Sequence, residues 1–298
     1  MLPRRDFLRT SAIVGTSIAL GGLTRPAAAI EPIARNGQPK FKFSLAAYSY
    51  RDLLLPKQGK EPQLTLKDFI DDCAKLGLEG TELTSYYFPK ETTADYLHAL
   101  RRQCFRLGLD VSGTAIGNEF GHPAGEKRAA EIAKTKQWID FAEILGAPVI
   151  RIFAGHQQKG QTEAEAHSLM VSAIEECCDY AGKHGVHLAL ENHGGPTATA
   201  DGLLKFVRDV NSPWFGVNLD GGNFRGEDAY SQLAQIAPYA INAQIKAKVG
   251  GAPADFKKLA KIMRDAKYRG YIVLEYEEPG SVREECARYV NEMREAFA

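Results

Sequence analysis

Val186-His187-Leu188-Ala189-Leu190-Glu191-Asn192-His193-Gly194-Gly195-Pro196 is an apolar run that ends abruptly in a carboxylate, an amide and an imidazole. Its apolar part is short and continuous, as in a strand of a parallel sheet covered on both faces. Two glycines and a proline then stop it. Residues two apart on a strand share a face, so Glu191 and His193 can address one cavity. An α/β barrel keeps its chemistry at the C-terminal tips of its strands. Taken alone, the motif equally fits a strand that simply runs out into polar loop residues.

The rest of the chain repeats the pattern. Strand-like segments fall at 41–47, 78–83, 109–116, 149–153, 186–190, 215–219, 241–245 and 271–274. Between them lie segments of helical period at 64–76, 94–107, 126–145, 163–183, 200–210, 230–236 and 256–266, with a last one at 282–297. Several helices stop at a glycine just before the next strand: Gly77, Gly108, Gly146 and Gly185. Eight βα units predict a single-domain (β/α)8 TIM barrel over 41–298, preceded by a polar linker at 30–40. An open doubly wound sheet would want a glycine-rich loop after its first strand, and Tyr48-Ser49-Tyr50-Arg51 is not one.

The first 29 residues stand apart. Arg4-Arg5-Asp6-Phe7-Leu8-Arg9 precedes an uncharged segment of small residues, then Ala27-Ala28-Ala29. This is the layout of a signal peptide cut after Ala29, and the paired arginines predict export of a folded protein to the bacterial periplasm by the twin-arginine translocase. The apolar part is too short for an ordinary membrane span, so no stable membrane anchor is expected. Five cysteines, odd in number and without a C-x-x-C pair, suggest buried small residues and no disulfide framework. With 37 basic and 37 acidic side chains among 298 residues, the charge balance argues against a nucleic-acid partner.

Read together, the strand tips carry Glu82 on strand two, Arg151 and His156 on strand four, and Glu191 and His193 on strand five. Strand six ends in Asp220, strand seven in Gln244 and Lys246, and strand eight in Glu275. Three carboxylates converging on one cavity repel each other unless a cation lies between them, which a divalent metal would supply. The alternative is a set of separately satisfied polar residues at a barrel mouth.

Five pieces resemble the xylose-isomerase-like sugar isomerases and epimerases: E-L-T-S-Y-Y-F-P at 82–89, I-R-I-F-A-G at 150–155, E-N-H-G-G at 191–195, N-L-D-G-G-N-F at 218–224 and V-L-E-Y at 273–276. That barrel family includes the tagatose/psicose 3-epimerases and the endonuclease IV group. The resemblance implies a metal held by Glu191, Asp220, Gln244 and Glu275, with Glu191 and Glu275 also moving the proton. It places His193, Arg151, His156, Lys246 and Glu82 against substrate, although each is equally an ordinary salt-bridged residue at the mouth. Gln244 stands where the epimerases have histidine, and an all-oxygen set favours Mn²⁺, with Mg²⁺, Co²⁺ or Zn²⁺ as alternatives. Asn223 replaces a histidine that the nuclease branch needs, so nuclease activity is not expected.

The reaction so implied is proton abstraction beside a carbonyl of a ketose or oxidised sugar, through an enediolate. A 3-keto-glycoside lyase or hydratase would begin with the same step. A non-catalytic sugar-binding barrel is the alternative of another class. The expected partner is a small carbohydrate, and an oligomer is compatible with the sequence.

Overall fold

The strands predicted from the apolar runs form β1 (Lys40–Ala46), β2 (Gly80–Thr84), β3 (Asp110–Ala115), β4 (Val149–Ile152), β5 (His187–Glu191), β6 (Phe215–Asp220), β7 (Ala240–Ile245) and β8 (Arg269–Leu274). All neighbours are parallel, and β8 pairs with β1 to close the barrel in chain order. The computed structural model describes residues 31–57, 59 and 61–298, so the expected export signal lies outside the described residues. Among the described residues, no helix is long and apolar enough to cross a membrane.

Among the described residues, eight outer helices cover the barrel: α1 (Leu66–Lys75), α2 (Ala94–Arg106), α3 (Glu126–Leu145), α4 (Glu163–Lys183), α5 (Ala200–Asp209), α6 (Ala229–Ile236), α7 (Phe256–Asp265) and α8 (Val282–Phe297). Their sequences explain both where they start and which face they bury. Thr65 with Asp68, and Thr162 with Glu165, close reciprocal capping boxes that satisfy first-turn N–H groups. In α7 the buried residues are Phe256, Leu259, Ala260 and Met263, an i, i+3, i+4, i+7 stripe against the sheet. Trp138 is packed, its indole N–H donating to Thr114 Oγ1 at 2.9 Å. All five cysteines are free and buried, as expected.

The four glycine stops are confirmed: Gly77, Gly108, Gly146 and Gly185 have φ of 64°, 72°, 77° and 68°. The α7–β8 turn has the same geometry without the glycine. Lys267, at φ 52°, donates its N–H to Arg264 O while Tyr268 N–H bonds Met263 O, which is a Schellman closure. A left-handed lysine costs about 1–2 kcal/mol in its backbone, partly offset because glycine loses more entropy on folding. Lys267→Gly is therefore expected to raise the unfolding free energy by about 0.5–1 kcal/mol, read from the urea midpoint at unchanged slope. A lower midpoint would mean the lysine stem makes a contact worth more than the strain.

The stretch expected as a linker is fastened to the barrel floor. Ile33 N–H bonds Pro238 O at 3.1 Å. The Arg35 guanidinium donates to the carbonyls of Pro238, Ala266 and Ala240, all at the N-terminal ends of β7 and β8.

Candidate active site

At the opposite end, the barrel tips bring five charged groups together. Glu191 ends β5, Asp220 ends β6, Lys246 follows β7, Glu275 follows β8, and Arg151 rises from β4. Glu191 Oε2 forms an ion pair with Arg151 Nε at 2.8 Å, and its Oε1 accepts from Asn223 Nδ2 at 2.8 Å. Arg151 also donates to Ile116 O at 2.7 Å and lies 4.1 Å over the Phe153 ring. Lys246 Nζ stands 3.3 Å from Asp220 Oδ2, 3.3 Å from Glu275 Oε2 and 3.0 Å from Glu277 Oε1. Neither Glu277 nor Asn223 was singled out as a ligand of this cluster in the sequence.

Gln244 is one layer lower. Its side-chain amide donates to Glu82 Oε1 at 2.6 Å and accepts from Asn218 Nδ2 at 2.6 Å. Asn242 Nδ2 donates to Glu82 Oε2 at 3.1 Å and to Asn218 Oδ1 at 2.8 Å, closing a four-membered ring inside the barrel. Both ends of the Gln244 amide are thus engaged, and Glu82 sits in this layer instead of facing substrate. A buried polar network of this kind is stable when each member is satisfied, and here each is.

Burial raises the pKa values of Glu191, Asp220 and Glu275, and repulsion from neighbouring carboxylates adds to it, from Glu277 in the case of Asp220. Burial also disfavours charge on Lys246, but Asp220, Glu275, Glu277 and Glu191 outweigh it, so its pKa rises and the ammonium persists. Arg151 behaves likewise through Glu191. Four carboxyls against two cations leave an anionic excess, so the cluster resists full ionisation and retains a proton readily.

That excess would by itself admit a divalent ion, but the donor arrangement does not. A metal needs several oxygens at about 2.0–2.6 Å. Here Gln244 Oε1 is taken by Asn218, Glu191 is held by Arg151 and Asn223, and Lys246 lies where Asp220 and Glu275 meet. An ion bound to those two oxygens would lie within about 5 Å of the ammonium, a repulsion on the order of 7 kcal/mol at an effective dielectric of about 20. Among the described residues, no three His, Cys, Asp or Glu side chains are grouped to hold a metal. The expected four-residue metal set does not fit.

The rim is less polar than expected. His193 stacks on Phe153 with centroids 4.3 Å apart, and partial burial with the Arg151 and Lys246 charges lowers its pKa to about 4. It is therefore a neutral imidazole at pH 7. His156 instead pairs with Glu119 Oε2 at 2.8 Å and borders a separate cavity of about 500 Å³ between α4 and α5. Tyr48 and Tyr86 pack edge to face at 6.3 Å, and Tyr86 meets Tyr87 at 6.2 Å. These rings were present in A-Y-S-Y and S-Y-Y-F, but aromatic residues in loops carry no periodic signal.

Glu82 gives a pH test. Burial, with Glu275 adding to it, lifts its pKa to about 7. An acid raised in the fold holds its proton there after the unfolded chain has lost it, so stability falls as pH rises from the ordinary value to about 7. The loss from this residue is about 3 kcal/mol and complete above that pH. The unfolding free energy of wild type relative to Glu82→Gln is expected to fall by that amount between pH 4.5 and pH 8. A difference independent of pH would mean Glu82 is ionised throughout.

No curated protein matches the sequence. Solved structures align over nearly the whole barrel. The xylose isomerase domain protein of Planctomyces limnophilus shares 19% identity, covering 87% of this chain and 98% of its own, with a TM-score of 0.65. The D-psicose 3-epimerase of Clostridium cellulolyticum H10, solved with D-tagatose, gives 16%, 86%, 99% and 0.71 in the same order. The probable 3-DHS dehydratase of Bacillus anthracis gives 17%, 86%, 98% and 0.64. A family model described as the xylose isomerase-like TIM barrel matches residues 70–293, and the chain belongs to that family.

Proposed function

We propose that the protein is a sugar isomerase or epimerase that enolises a ketose or an oxidised sugar. One observation carries this reading: Glu191 and Glu275 belong to one buried charge cluster at the strand tips, each with a cation against it, Arg151 and Lys246 respectively. One carboxylate takes the proton from the carbon beside the carbonyl, and the C–H electron pair moves onto the carbonyl oxygen. The ammonium and guanidinium stabilise the resulting enediolate, since preorganised charge in a water-poor site is the largest single aid to such a step. The other carboxyl, kept protonated by its environment, returns a proton to carbon. The tyrosines and Phe153 offer apolar faces to the sugar ring, and neutral His193 offers hydrogen bonds at the mouth.

A second reading uses the same first step and then expels an oxygen substituent from the neighbouring carbon, as a lyase or dehydratase. It is supported by the likeness of the barrel to the probable dehydratase. The test is deuterium incorporation from D₂O into a panel of ketoses and 3-keto-glucosides. Exchange next to the carbonyl is the expected result, and the product, an epimer, an isomer or an eliminated aglycone, separates the two readings. Substrate binding without exchange on any member would favour a sugar-binding barrel instead.

A further inference from the structure

We propose that Lys246 is the resident cation of this site, filling the place a divalent metal would take, and that the protein works without a metal. The ammonium is surrounded as an ion would be, by three carboxylate oxygens and by Asn223 Oδ1 at 3.2 Å. Asp220 Oδ2 is fully buried and has no hydrogen-bond partner among the described residues, and the Lys246 ammonium at 3.3 Å is the cation against it. Strand period explains the arrangement: Gln244 and Lys246 share a face of β7, the first turned down into the amide ring, the second reaching up to the carboxylates.

The strand-six turn is shaped for this side chain. A Cβ on Gly222 would lie 2.8 Å from Lys246 Cδ, 2.9 Å from its Cβ and 2.8 Å from Lys248 O, so glycine lets the segment after β7, lysine stem included, lie close across β6. Catalytic use of the ammonium rests on the enolisation reading above, whereas its occupation of the ion's place does not.

The test is Mn²⁺ titration by calorimetry, with melting curves in Mn²⁺ and in EDTA, on the purified protein and on Lys246→Met and Lys246→Arg. Wild type and Lys246→Arg are expected to show no saturable Mn²⁺ site tighter than about 100 μM and the same Tm in both buffers. Lys246→Met keeps the stem and removes the charge. It is expected to gain one Mn²⁺ site, at least about tenfold tighter than any wild-type binding, with a higher Tm in Mn²⁺. A one-to-one micromolar site in wild type overturns the inference, as does a folded Lys246→Met that binds no Mn²⁺. If Lys246→Met fails to fold, the wild-type and Lys246→Arg titrations still decide. No substrate is involved, so a wild-type metal site would leave the enolisation reading standing, and failure to exchange any sugar would leave this inference standing.

Discussion

Replacing Arg151 by methionine is expected to cost the fold about 3–5 kcal/mol, because Glu191 is then left buried without its partner. Both side chains are nearly sealed, at 5% and 4% exposure, and the contact is 2.8 Å. At that depth water cannot compensate the lost guanidinium. Methionine keeps the contact with the Phe153 ring, so the loss is electrostatic and not a packing defect. The pairing also predicts non-additivity: adding Glu191→Gln to Arg151→Met should recover most of the loss, since the stranded charge goes with it. Acidification should do the same by protonating Glu191. Urea unfolding of the four members of the cycle checks this, and a single-variant loss below about 1 kcal/mol would mean Glu191 is already neutral at neutral pH.

Glu191→Gln and Glu275→Gln are each expected to lower the exchange rate by at least about 100-fold, the usual contribution of a positioned acid or base. Glu191→Gln leaves the buried Arg151 guanidinium without its carboxylate and should weaken the fold as Arg151→Met does, whereas Glu275→Gln should not. Glu275→Gln removes one negative charge from a cluster with too many and relieves the repulsion that helps to raise the pKa of Glu191. Loss of activity with equal or higher Tm is therefore the specific signature of Glu275→Gln. Near-wild-type exchange in either variant would remove that residue from the proton transfer.

The architecture was legible because each strand-to-helix step carried its own signal. Apolar runs set the strands, glycines at the helix ends fixed the stops, and the boundaries moved by only a few residues, as at β5, which ends on Glu191 instead of Leu190. The convergence of Glu191, Asp220 and Glu275 was legible for the same reason, since each stands at a tip. Which cation meets them was not. Gln244 pairs in register with Asp220, yet strands in a barrel tilt against its axis, so partners along the hydrogen bonds are not level in height. Sequence alternation shows that Gln244 and Lys246 face inward but not how deep either lies. The amide ring was hidden likewise: Asn218, Asn242 and Gln244 are readable as inward polar residues, but only the closed barrel brings Glu82 from β2 to meet them.

The fastening of residues 33–35 to the floor has a bearing on orientation. Ile33 and Arg35 are tied to carbonyls at the end of the barrel away from the carboxylates. A tag, a resin linkage or a domain joined directly to residue 31 would be attached at the closed end of the molecule. An N-terminally immobilised preparation would thus stand with its open end toward the solution, leaving a sugar an unobstructed approach.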